Sequence, residues 1–113
     1  MNNKKVVFKS GASSTKIPRF ELIPRIALVA LADRYELGLE RHGETAWSIL
    51  SADQSPLDDK EWLTARLAHV IDHATKALDK LHGRIPDDGD DDAAAIMWGG
   101  SVLAAARDHQ RRK

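Results

Sequence analysis

Asp33, Glu36 and Glu40 are spaced three and four residues apart in "ADRYELGLERHG". On a helix that advances about 100° per residue, the three fall within about 60° of one another. Three carboxylates on one face can form one wall of a Mg²⁺ site, since this hard ion takes oxygen ligands and commonly joins a few carboxylates to phosphate oxygens. Leu22, Ile26 and Val29 share the same sector, so the acids also continue an apolar stripe. The plainer reading is a helix end that emerges from a core, with its acids solvated or paired to Arg34 or Arg41.

A second constellation lies in "EWLTARLAHVIDHATKALDKL". Trp62, Arg66, His69, Asp72, His73, Lys76 and Lys80 follow one side of a helix, opposite a stripe of Leu63, Leu67, Val70, Ile71, Ala74, Leu78 and Leu81. His69 and His73 are one turn apart, as in helical His-x-x-x-His metal sites, with Asp72 adjacent. No Glu follows His69, so the zinc-protease pattern fails. The same face could instead meet phosphates through Arg66, His69, His73 and Lys76, or be a solvated face with one half-buried Trp62.

"DDGDDD", Asp87 to Asp92, lacks the alternating donors and distal Glu of an EF-hand loop. One of these acids is expected to cap the next helix, and a cation would relieve the repulsion of five together, which keeps Asp91 and Asp92 as metal candidates. No cysteine, nucleophile-elbow serine or phosphate-cradling glycine loop is present, so an enzyme of this sequence would rely on metal-activated water.

The elements that must position these groups are helices. Pro24 suits the first turn of one running from Leu22 or Pro24 to Glu40, closed by Gly43. A second is expected from Pro56 to Leu81, with Ser55 as cap candidate, and a third from Ala93 to between Arg107 and Gln110. No run reads as strand. Residues 1–17 read as a mobile or extended arm before a single all-α domain over 18–113, a small bundle of three main helices. At 113 residues such a bundle is marginal alone, which makes a homo-oligomer, dimer or higher, the expectation. Small residues in "DDAAAIMWGGSVLAAA" would let another helix approach closely.

Basic and acidic residues balance at 17 each, so no global field favours nucleic acid or an anionic membrane. The N-terminal stretch has no signal-peptide core, and the longest apolar run, Ile26 to Ala32, is too short to span a bilayer. A soluble cytoplasmic protein is the expectation.

Several segments together resemble the phage dATP/dGTP diphosphohydrolase-like family, akin to the all-α nucleoside triphosphate pyrophosphatases of the MazG type. "SGASSTKIPRFELIP" is similar to the family's Ser-Gly-Ala and Pro-Arg-Phe-Asp-Leu-Ile-Pro segment, and "RHGETAW" to its Lys-Tyr-Gly-x-x-Asn-Trp turn. "RLAHVIDHATKAL" resembles its His-bearing helix and "DDAAAIMWGGSVLA" its final Asp-x-x-Ala-x-x-x-Trp-Gly helix. The match runs from about Ser10 to Ala106. It implies a phage or prophage protein in the host cytoplasm that cleaves a purine deoxynucleotide to monophosphate and pyrophosphate with Mg²⁺. On that reading Asp33, Glu36, Glu40 and Asp92 hold the metal, and Glu36, Glu40 and Asp72 are catalytic. The nucleotide would be met by Arg41, Trp47, Trp62, Arg66, His69, His73, Lys76 and Trp98. The MazG-type Glu-x-x-Glu followed by Glu-x-x-Asp is not present as such, and Ala46 replaces the usual Asn of the turn. These departures keep open a phage sponge that sequesters a nucleotide immune signal without hydrolysis, and a purely structural helical oligomer.

Overall fold

The computed structural model describes residues 5–7, 13–15, 18–43 and 46–113. Three helices carry the fold: α1, Arg25–His42; α2, Lys60–Leu81; and α3, Asp92–Arg111. The chain is a small all-α bundle, as its periodicity predicts. Two three-residue strands, β1 (Lys5–Val7) and β2 (Ser13–Thr15), pair antiparallel ahead of it, with Val6 opposite Ser14. They correct the expectation that no strand occurs. The rest of the predicted arm, apart from these strands, falls outside the described residues up to position 17.

Local chemistry explains each boundary. A 3-10 turn at Phe20–Leu22 precedes Pro24, whose fixed φ of −58° leads into α1 one residue later than expected. Gly43 ends that helix at φ 56°, a conformation that costs other residues dearly, and donates its N–H to the Leu39 carbonyl. The segment expected to begin α2 at Pro56 is a separate 3-10 turn, Ser55–Asp58, and the cap is Asp59 rather than Ser55. The Asp59 carboxylate accepts from the backbone N–H groups of Glu61 and Trp62, satisfying two donors that the first turn leaves open. Asp91 caps α3 in the same manner, through the Ala94 N–H.

α2 and α3 lie antiparallel, joined by a short loop. The end of α2 reaches the start of α3 through His73 and Lys80, while His109 near the end of α3 meets Asp58. α1 packs on α3 as well, but α1 and α2 do not pack on each other. The last helix is therefore the centre of the bundle. Apart from Ala94, its buried residues Asp92, Ala95, Gly99, Val102 and Ala106 alternate at three and four positions, the spacing of a helix seam. Trp47, Leu57, Val102 and Ala106 form the buried core, with Trp62, Leu63, Trp98 and Ala105 packed around it.

The faces are arranged otherwise than the apolar stripes suggest. α1 and α2 bury no residue completely. The stripe shared by Ile26 and the α1 acids points outward, with Ile26 74% exposed. On α2, Trp62, Arg66, Val70, His73, Ala77 and Lys80 turn toward α3, while Leu67, Ile71 and Leu78 turn to solvent.

Candidate binding cleft

Because α1 and α2 meet α3 but not each other, an open space remains between them. It is a cleft of about 430 Å³, walled by Arg34, Tyr35 and Arg41 of α1, Trp62, Arg66, His69 and His73 of α2, Trp98 and Gly99 of α3, and Ala46–Trp47. All three tryptophans of the chain line it. Seven of the eight side chains expected to meet a nucleotide are brought together here; Lys76 is not a wall residue and pairs instead with Asp88 at 3.3 Å.

Arg66 occupies the centre of the aromatic wall. Its guanidinium carbon is 5.3 Å from the Trp62 ring centroid and 5.8 Å from that of Trp98, a cation placed against two π faces. Trp47 tilts against Trp62 with centroids 6.1 Å apart, and Tyr35 meets Trp98 edge-on at the same distance. The Tyr35 hydroxyl is hydrogen-bonded to Ser101 on α3, which holds that ring in place. Two buried donors, Arg66 Nε and Trp47 Nε1, have no hydrogen-bond partner. Such groups cost free energy when left unmet, so partners for them would stabilise the site. Among the described residues, neither Arg41 nor Arg66 is paired with a carboxylate.

Beside the cleft lies a charge network. Asp92 is 5% exposed and accepts from His73 Nδ1 at 2.7 Å and from Lys80 Nζ at 2.6 Å. Asp90 accepts from Arg34 at 2.9 Å, and Lys80 also holds Asp88. The hydrogen bond from His73, then that from Lys80, holds the Asp92 carboxyl below the ordinary carboxylate range. Arg34 does the same for Asp90, and Lys80 for Asp88. The Lys80 and Lys76 ammonium groups are held above their usual value, chiefly by hydrogen bonding to Asp88. The repulsion expected within "DDGDDD" is thus relieved by the chain's own cations.

The metal expectations divide. Glu36, Glu40 and Asp72 are exposed and line neither the cleft nor a second groove of about 420 Å³, which Asp33 shares with Arg34, Asp88, Asp90 and Asp91. His73, Asp90 and Asp92 do converge, with one donor atom each inside 4.8 Å. Those donors match Mg²⁺ poorly: only two are oxygens, and Lys80 and Arg34 already sit on both carboxylates. Of the four expected metal ligands, the convergent group contains Asp92 alone.

Tyr35 and Asp90 were not singled out by sequence, and Arg34 was expected only as a partner for the α1 acids. Arg34 and Arg41 share a face at seven-residue spacing with Gly38 between them, a pattern that the acids one position over obscured. Comparison of the chain with protein-family models, with curated proteins and with solved structures gives no match. No helix among the described residues is long and apolar enough to cross a membrane.

Proposed function

We propose that this protein binds a nucleotide in the cleft and retains it intact. The observation that carries the reading is Arg66, its guanidinium within cation–π reach of both Trp62 and Trp98 and its buried Nε lacking any partner. A flat base suits the aromatic wall, and phosphate oxygens suit Arg41 and the free guanidinium N–H groups. The cleft has the size usual for small-molecule sites. Retention is favoured over hydrolysis because Glu36, Glu40 and Asp72 lie away from it and Asp90, the one lining carboxylate among the described residues, is held by Arg34.

Hydrolysis keeps one supporting observation, the convergence of His73, Asp90 and Asp92. A single experiment separates the two readings. The protein is incubated with dATP, dGTP and cyclic dinucleotides, with Mg²⁺ or with a chelator, and tryptophan emission, retained ligand and products are followed. Quenching in both conditions, with intact nucleotide recovered after denaturation, is the expected result. Mg²⁺-dependent release of monophosphate and pyrophosphate would assign the enzyme instead, and no response to any nucleotide would refute both. Arg66→Ala should weaken binding about 10- to 100-fold, the loss of about 1.5–3 kcal/mol carried by a charged hydrogen bond.

A further inference from the structure

The outward face of α2 is built like a buried one. Leu67, Ile71, Ala74, Leu78 and Leu81 are separated by four, three, four and three residues, the 3-4 spacing of a coiled-coil seam. Leu67, Ile71, Leu78 and Leu81 are between 47% and 80% exposed. Thr64, Ala68 and Thr75 flank them on the exposed side, so an uncharged, exposed sector about 140° wide runs along the helix. Every charged residue of α2 between Thr64 and Leu81 lies outside it. Among the described residues nothing covers this seam, because α3 packs on a different face of α2, that of Trp62, Arg66 and His73.

We infer that α2 pairs with α2 of a second copy of this chain, antiparallel, across a two-fold axis at Ala74. The seam is close to palindromic about that residue. Leu67 and Leu81 stand seven positions before and after it, and Ile71 and Leu78 three before and four after. An antiparallel crossing centred on Ala74 therefore brings Leu67 against Leu81 of the other copy and Ile71 against Leu78, twice each, as an isologous interface requires. Ala74 at the axis, with Ala68 and Thr75 beside the seam, lets the helices approach closely. An uncharged sector carries no complement for a charged partner, whereas it complements itself.

Pairing takes four large apolar side chains, Leu67, Ile71, Leu78 and Leu81, out of water on each copy. The five seam residues line no part of the cleft, so neither proposal stands or falls with the other.

The test uses the full chain, which has no cysteine. Ala74→Cys places one thiol on the axis. Helix axes about 8–10 Å apart, each carrying its Cα at about 2.3 Å, bring the facing Cα atoms to disulfide range. Ala74→Cys is expected to form a disulfide-linked dimer on mild oxidation. Glu61→Cys, which the antiparallel register sets far from its own copy, is expected to stay unlinked. Sedimentation should show the unmodified protein as a dimer and the Ile71→Glu, Leu78→Glu double variant as a monomer with unchanged helical circular dichroism. A monomeric unmodified protein, a dimer that survives both glutamates, or efficient linkage through Glu61→Cys would each overturn the proposal. Should the double variant unfold, the cysteine pair decides alone.

Discussion

Adding one methyl group at Gly99 tests how closely the central helix is held. A Cβ there would lie 2.3 Å from Cγ2 of Val70, far inside contact distance, with the Arg66 carbonyl at 3.8 Å behind it. Val70 has little room to yield, because a β-branched side chain on a helix keeps essentially one χ1 rotamer. Overpacking of this kind costs about 1–3 kcal/mol. The same substitution gains about 1 kcal/mol of helix propensity, which hides part of the cost. Gly100 is the internal control: it is the next residue of the same helix, and nothing lies within 4 Å of its added Cβ. Gly100→Ala should therefore stabilise by up to about 1 kcal/mol, and the gap between the two variants isolates the clash at about 1–3 kcal/mol. For a domain of this size that gap is at least about 4 °C in melting temperature at matched protein concentration. Urea unfolding gives the free energies, and Val70→Ala in the Gly99→Ala background should recover most of the loss, a coupling expected only of residues in contact. If Gly99→Ala is as stable as Gly100→Ala, α2 and α3 do not meet at this point and the packing described above is wrong.

Two further outcomes follow from the charge network. Asp92→Ala removes the buried acceptor shared by Lys80 and His73, which keep Asp88 and Asp90 nearby, and should destabilise by about 1–3 kcal/mol in urea unfolding, no measurable loss meaning that the network is not formed in solution. The pH dependence has two limbs. The stability given by Asp90 and Asp92, whose values are lowered, is present above the ordinary 3.8 and lost as pH falls through the lowered values. That given by Lys76 and Lys80, whose values are raised, is present below the ordinary 10.5 and lost as pH rises through the raised ones. Thermal melts should accordingly show no loss from these four groups between the two limits, and Asp92→Asn should flatten the acid limb. An acid limb unchanged by Asp92→Asn contradicts that assignment.

The helices were readable from the sequence because their punctuation is local. Pro24, Gly43 and the acids before α3 act on the backbone within a few residues of themselves, whereas the start of α2 was read at Ser55–Pro56, four residues before its true cap, Asp59. The orientation of α2 was not readable, since periodicity marks a stripe that wants burial without naming what buries it. Leu67, Ile71 and Leu78 form the better apolar stripe, yet Trp62, Val70 and Ala77 face α3, whose small Ala95 and Gly99 admit them. The aromatic and basic residues of the cleft could be gathered by type on one face of α2, and Trp47 and Trp98 by their place in the chain. The role of Asp90 and Arg34 depends on a contact 56 residues apart in sequence, which no short motif encodes. The α1 acids were misplaced for the same reason as the α2 leucines: the stripe that they extend is not the one that packs.

The order in which the helices are made now acquires a meaning. α1 and α2 emerge from the ribosome first, and neither has the other to rest on, because α3 is the surface that both use. During synthesis the chain therefore carries two exposed helices, and Lys80 and His73 lack Asp92, until residues 92–111 follow. Non-local contacts must wait for that last helix, so collapse is a late and concerted event and not a stepwise growth from the N-terminus. A chain stalled before α3 is released would lack the surface on which α1 and α2 both pack.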